Sequence, residues 1–374
     1  MKKQRFLLGS LLGILFIALP SAVQAQIDIV GVNDGYLAAG LVHQRYTAWN
    51  AVRDHEISGS RHVFQNDEYT QYYGQSPCDR VFERMPAVGS KNSKPRNLWS
   101  NYVWHDSRYQ SAMSGSDWKI GGDGVQIGTD IFRRQNCQFG AFFGYENSAA
   151  SNAGDRVHAN DYYFGLYDVH VFKGGADLRT VFSCGWQDLH TQRNGQGSVY
   201  ETSFRGLTSE LNVELGKRYY FSKCCGGWSA RPVVGLDWHF VRLGNGLEIP
   251  NNSLYNDFAL RYHGTDFAQL FFRFGTDLRY ERGRWAVEGG FYYSYDLRGA
   301  SLWSEVSDAL TGNRFQSALI SSNLGRSLFS VNVAGALQVT RNVSAFAGYR
   351  GEASPEQAGR GFAHAVYAGG AWRW

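Results

Sequence analysis

From Leu98 to Trp374 the chain alternates, with apolar side chains at every second position along stretch after stretch and polar or small ones between them. Along 266–281 one set is Ala268, Leu270, Phe272, Phe274, Thr276, Leu278 and Tyr280, and the other is Gln269, Arg273, Gly275, Asp277, Arg279 and Glu281. Residues 228–243 set Trp228, Val234, Leu236, Trp238 and Phe240 against Arg231, Asp237 and His239. Residues 285–299 set Trp285, Val287, Phe291, Tyr293 and Tyr295 against Glu288, Ser294, Asp296 and Arg298. A period of two belongs to a strand, whose successive side chains point to opposite faces. The pattern predicts about twelve strands, near 98–106, 121–132, 137–148, 158–171, 176–190, 200–220, 228–243, 266–281, 285–299, 326–340, 342–351 and 363–374.

The connections alternate in length. Those at 107–120, 149–157, 191–199, 244–265, 300–325 and 352–362 are long, whereas 133–136, 172–175, 221–227, 282–284 and Arg341 are short. Transmembrane barrels of the outer membrane sort their loops this way, with short periplasmic turns and long outer loops. A soluble sandwich would bury the apolar face against a second sheet. The aromatics favour lipid instead: Phe132, Phe139, Phe172, Tyr219, Tyr220, Trp228, Tyr280, Trp285 and Trp372 crowd the short-turn ends, as an interfacial girdle does. The expected fold is therefore all-β, a transmembrane antiparallel up-and-down barrel.

Composition agrees. Hydrophobic residues make up 43% and aromatics 15%, with 44 Gly and only 7 Pro, and the mean hydropathy is negative. No segment after residue 25 has the run of about 18 apolar residues that a spanning helix needs, so entry into a membrane requires a closed barrel. Residues 1–25 read as a secretory signal peptide: Lys2, Lys3 and Arg5 precede an apolar run from Phe6 to Leu19, and Val23-Gln24-Ala25 is a small-x-small cleavage site. Its removal leaves a net charge of about +1, which gives no reason to assign a nucleic-acid partner.

Between the signal and the barrel the texture changes. Residues 26–97 lack sustained alternation, Lys91-Asn92-Ser93-Lys94-Pro95 reads as a linker, and Tyr36–His55 places Leu37, Leu41, Ala48 and Val52 on one helical face. The domain organisation expected is a signal peptide over 1–25, a short N-terminal passenger, linker or plug over 26–97, and a barrel over 98–374.

The barrel segment resembles the C-terminal translocator domain of bacterial autotransporters. The stretches that carry the resemblance are the opening Trp99-to-Trp104 strand, Gly124-Val125-Gln126-Ile127-Gly128-Thr129-Asp130, Phe142-Phe143-Gly144-Tyr145, Gly165-Leu166-Tyr167 and Glu214-Leu215-Gly216-Lys217. Arg231-Pro232, Phe274-Gly275-Thr276-Asp277, Ala347-Gly348-Tyr349-Arg350-Gly351 and the closing Gly369-Gly370-Ala371-Trp372-Arg373-Trp374 follow in order. The resemblance implies a twelve-stranded outer-membrane domain that anchors, translocates or displays an N-terminal segment. It also implies periplasmic chaperones and the barrel-assembly machinery as partners beside outer-membrane lipid. That machinery reads the last strand, here Val366, Ala368, Gly370, Trp372 and Trp374. Family members more often end in Phe, and their passengers are commonly long β-solenoids, for which residues 26–97 are too few. Those residues either thread the lumen, plug or tether the barrel, or form a small surface peptide; lumen occupation is the favoured expectation, because a twelve-stranded barrel has room for a helix. A full set of strands in one chain makes a monomer the simpler assembly.

The inward set supplies the candidate lumen-lining residues Glu214, Arg231, Asp237, Arg273, Asp277, Glu288, Asp296 and Arg298. Such charges set conductance, grip a luminal segment, or pair across the wall, and pairing is the simplest expectation. Because both signs occur, strong ion selectivity is not expected. Two rival functions are a passive channel for small solutes and an adhesin working through loops 244–265 and 300–325, with Tyr255 and Trp303 as exposed aromatics.

Catalysis finds little purchase. His364 and Ser327 are loosely placed outer-rim candidates for a membrane lipase, without a Gly-x-Ser-x-Gly turn, and no enzyme activity is predicted. Five cysteines, Cys78, Cys137, Cys184, Cys224 and Cys225, leave an odd thiol in an oxidising compartment. A disulfide among Cys78, Cys137, Cys224 and Cys225 is open, and Cys184 beside Leu178, Phe182 and Trp186 reads as a small lipid-facing hydrophobe. The spacing fits no metal site; no cofactor is expected. Asp123-Gly124 reads as a turn marker, and Gly121-Gly122-Asp123-Gly124 is not a phosphate loop because no helix follows.

Overall fold

The computed structural model describes residues 97–373 except 111–116, 135–136, 152–153, 173–174, 196, 222–226, 283, 299–301, 311–313, 320–325, 341 and 356–361. The expected signal peptide, the segment 26–96 with its Tyr36–His55 helix, Cys78, Cys224, Cys225 and Trp374 lie outside the described residues, as does the side chain of Trp303.

Twelve long antiparallel strands close into one barrel. They are β1 (Asn97–Gln110), β2 (Asp117–Arg134), β3 (Cys137–Ser151), β4 (Arg156–Val171), β5 (Ala176–Gly195) and β6 (Ser198–Lys217), then β7 (Gly227–Leu243), β8 (Thr265–Arg282), β9 (Trp285–Asp296), β10 (Ser327–Gln338), β11 (Val343–Ala353) and β12 (Phe362–Arg373). Each pairs with its neighbour in sequence, and β12 returns to β1 in a register running from Asn97 opposite Arg373 to Arg108 opposite Phe362. Closure gives every wall strand two partners, the condition for a sheet to sit in lipid.

Side chains alternate in burial along the wall. On β5 the outward row runs Leu178, Thr180, Phe182, Cys184, Trp186 and then turns polar at Asp188, His190 and Gln192. On β6 it runs Leu215, Val213, Leu211, Ser209, Leu207 and then Arg205, Ser203, Glu201. The change falls at one level, because Trp186 pairs with Leu207 and Asp188 with Arg205. Ten residue steps from Ala176 to Trp186, tilted as barrel strands are, span about 25 Å, the height of a hydrocarbon band. At the short-turn edge Phe172, Tyr219, Tyr220, Trp228, Trp285 and Trp372 are exposed.

Three expectations are corrected here. Residues 107–120, 149–157 and 191–199, read as long loops, are mostly strand: β5 and β6 continue to Gly195 and from Ser198, with Gly197 at a positive φ of 80° in the turn. The strand read as 200–220 ends at Lys217, and Tyr219–Tyr220 re-pairs separately with Ser229 and Ala230 of β7. Gly121 to Gly124 lie inside β2 rather than in a turn.

The two longest outer connections fold. Gly246–Leu247, Leu260–Tyr262, Leu302–Asp308 and Arg314–Leu319 form a four-stranded sheet of their own, and a 3-10 turn, Ser253–Phe258, is capped by the Asn252 side chain accepting from the Leu254 N–H. Ile249–Pro250 adds to the edge of β6 at Tyr200 and Glu201.

Candidate functional site

The inner wall is divided into two arcs in its short-turn half. Over β1–β5 it is aromatic: Trp99, Phe142, Tyr163, Tyr167, Val169 and Val181 form one buried cluster with Ala371. Trp99 Nε1 donates to the Tyr167 hydroxyl at 3.2 Å, which donates to Asp130 at 2.8 Å. Glycines on the neighbouring strands make room for the rings. Gly128 faces Trp99, Gly140 faces Tyr167, Gly144 faces Tyr163 and Gly165 faces Phe142 in the strand register. A Cβ at Gly140 would sit 2.1 Å from the Tyr167 ring, and one at Gly144 2.0 Å from the Tyr163 ring.

Over β5–β9 the same level is ionic. Arg231, fully buried on β7, donates from Nε to Asp177 at 3.0 Å, reaches Asp277 at 3.2 Å, and also bonds Glu214. Glu214 accepts from Arg273 at 2.9 Å, and Arg179 donates to Asp177 at 3.0 Å. Asp237 lies 3.6 Å from Arg273. Arg218 donates to Glu288 at 3.1 Å, with Arg279 3.8 Å from the same carboxylate. Carboxylates and guanidiniums alternate across five strands, so each charge taken from water faces the opposite sign, as buried ions require. Gly216 is the seat of Arg231, whose guanidinium lies 2.5 Å from where a Cβ would be.

Of the eight residues proposed from the inward parity, Glu214, Arg231, Asp237, Arg273, Asp277 and Glu288 meet in this network. Asp296 is buried at the outer end of β9 and accepts from the Arg298 N–H at 3.0 Å. Arg298 itself lies beyond the strand and is exposed, not in the wall. The closing-strand residues Val366, Ala368 and Trp372 point outward, and Gly370 pairs with Ser100 and Ala345. Asp177, Arg179 and Arg218 were missed, although Asp177 and Arg179 share the parity opposite Leu178 and Phe182.

Higher in the lumen the wall is polar. His105 Nε2 meets Glu146 at 2.6 Å, Gln187 donates to Asp161 at 2.9 Å, and Arg350 to Glu352 at 2.6 Å. The glycine run of β2 now has a reason: a Cβ at Gly122 would lie 2.9 Å from His105 Nε2, and one at Gly124 3.1 Å from the Glu146 side chain.

At the outer mouth, the loop after β7 packs against the inward face of the β5–β6 projection. Glu248 accepts from Arg193 at 2.8 Å and 2.6 Å, from the Leu260 N–H at 3.0 Å and from the Tyr262 hydroxyl at 2.8 Å. Arg193 stacks 4.4 Å over Tyr200, and Phe204 meets Tyr262 edge-on at 5.1 Å. Tyr255, expected to be exposed, is half-buried and accepts from Tyr200 at its carbonyl. No sequence pattern announces Glu248, whose partners lie 12 to 55 residues away.

The lipase pairing does not assemble. His364 on β12 lies 3.8 Å from Asp106, Ser327 on β10 shares a hydrogen bond with Tyr293 at 3.0 Å, and β11 runs between the two strands. Among the described residues no cluster of metal-ligating side chains occurs. Cys184 faces outward, exposed, and Cys137 donates to Asp168 at 3.4 Å.

The Autotransporter beta-domain family model matches residues 98–350. The chain belongs to the autotransporter beta-domain family. Among solved structures it is similar to the translocator domain of autotransporter NalP from Neisseria meningitidis, at 14% identity and a TM-score of 0.60, over 79% of this chain and 95% of that one. It is also similar to the transport unit of AIDA-I from Escherichia coli, at 12% identity and a TM-score of 0.50, over 80% and 98%. No curated protein sequence matches it. This autotransporter barrel is an outer-membrane protein.

Proposed function

We propose that this barrel anchors a short N-terminal segment, residues 26–97, and holds it in the lumen, with residues 1–25 serving as the export signal. The observation that carries the reading is the state of the inner wall. Gln269 on β8 and Asn332 on β10 are each 1% exposed, and neither end of either amide is hydrogen-bonded to any described residue. Buried amides without partners are costly, and a polypeptide lying along the lumen supplies the backbone groups they lack. The ionic arc offers further partners of both signs, and the aromatic arc narrows the free section. The closing strand serves as the signal for barrel assembly, through Val366, Ala368, Gly370, Trp372 and Trp374, and the barrel works as a monomer.

The test combines topology and conductance. With a tag placed after Gln26, protease treatment of intact cells cleaves the tag if the segment is displayed and spares it if it stays in the lumen or periplasm. In planar bilayers the mature chain is expected to be closed, and deletion of 26–96 to unmask a steady current. An open wild-type pore that the deletion leaves unchanged would replace this reading with that of a passive channel.

A further inference from the structure

We propose that the outer surface formed by β1, β2, β4 and β12, just beyond the apolar band, binds the phosphorylated sugar headgroup of a glycolipid in the outer leaflet. Arg108 on β1 and Lys119 on β2 are directly opposite in the ladder and both are exposed. Lys119 is opposite Ser151 of β3, which is opposite Arg156 of β4, so a third exposed cation stands two strands away, about 10 Å off. Like charges directly opposite in a sheet repel. No described carboxylate lies within ion-pair distance of any of the three.

Two outward cations on other strands are matched. Arg205 lies 3.6 Å from Asp188, and Arg242 donates to Asp266 at 2.7 Å and 2.8 Å. Arg108, Lys119 and Arg156 thus stand together without the carboxylate pairing that Arg205 and Arg242 have.

An aromatic platform adjoins these cations. His364 stacks with Phe362 at 5.7 Å and with Tyr349 at 6.4 Å, and tilts against Trp104 at 5.7 Å. Arg108 lies 6.0 Å over the Phe362 ring. Below the platform Tyr102 lies opposite Ala368 and Val125, with the exposed Asp123 carboxylate beside it and opposite Trp104. Flat rings suit the faces of sugar rings, and guanidinium and ammonium groups suit phosphates. Arg108 stands ten residues from Leu98, which is exposed at the short-turn end of β1, about 25 Å along the membrane normal, which is the height of the hydrocarbon band.

The probe is a bisphosphorylated diglucosamine glycolipid, compared with its dephosphorylated form and with phosphatidylglycerol, each added to the full mature chain folded in detergent. Lipid retained on the protein is counted by native mass spectrometry. The bisphosphorylated form is expected to be held about tenfold more tightly than the other two. R108E/K119E should remove that preference, and R205E, at a matched site, should keep it. Equal retention of the three lipids, undiminished retention by R108E/K119E, or displacement by millimolar inorganic phosphate would each overturn the proposal. If the double reversal fails to give a folded, heat-modifiable barrel, R108Q/K119Q is read by the same criteria.

Discussion

A single methyl group separates tolerated from disruptive positions on this wall. Gly140→Ala places a Cβ 2.1 Å from the Tyr167 ring, whereas at Gly335 the nearest atom to a new Cβ is 3.9 Å away. The aromatic ring cannot move outward through a closed sheet. Gly140→Ala is therefore expected to destabilise the barrel by about 1–3 kcal/mol and Gly335→Ala to be nearly neutral, read from urea midpoints of the folded band in lipid. Arg231 is the ionic counterpart. Its replacement by Met leaves Asp177, Glu214 and Asp277 facing one another in the wall, and removing one partner of a buried ion network costs about 3–5 kcal/mol. Adding Glu214→Gln to Arg231→Met should recover part of the loss in the same urea titration, and a full additive loss would show that the network does not act as a unit. The sequence pointed to Arg231 and Glu214 through parity alone. What parity does not carry is which carboxylate each guanidinium meets, because that depends on strand stagger.

At the scale of the element, the β5–β6 hairpin shows why strand ends were misread. Below Trp186 one face meets lipid and the other the lumen, so hydrophobicity alternates. Above it both faces meet polar surroundings: Asp188, His190 and Gln192 point out, and Gln187, Thr191 and Arg193 point in. The hydrogen-bond ladder continues while the pattern that reports it vanishes. Long "loops" in such a sequence are partly strands that have left the membrane, whereas the two longest, 244–264 and 297–326, are excursions from the wall. The first of these is fastened by Glu248. Glu248→Ala leaves Arg193 buried without its anion and frees the Leu260 and Tyr262 groups. Limited proteolysis of the folded protein should then cut within 244–264, and the unfolding midpoint of the barrel should stay within about 0.5 kcal/mol of wild type, as for a change outside the cooperative wall. Cutting at unchanged rate in the variant would mean that the outer sheet, rather than this residue, secures the loop.

For the whole molecule, the wall must satisfy lipid and chain closure at once, and both were readable from one period of two. Twelve alternating segments and the aromatic edges specify an even, closed, membrane-spanning barrel before any contact is known. The division of the lumen into an aromatic and an ionic arc was not readable, because it arises from residues far apart in sequence, such as Trp99 with Tyr167 and Arg179 with Glu214. The position of the hydrocarbon band gives the sharpest test of the assembled barrel. Phe182 and His190 both point outward on β5, four residue pairs apart in kind but set in different media: Phe182 within the apolar stretch, His190 above the step at Trp186 and Asp188. An arginine near the bilayer midplane costs about 2–4 kcal/mol and one beyond the interface close to zero. Phe182→Arg is expected to lose stability of that order in reversible unfolding from bilayers, and His190→Arg to lose almost none. Equal effects at the two positions would place the lipid boundary elsewhere on the wall, and with it the headgroup level at which Arg108 and Lys119 stand.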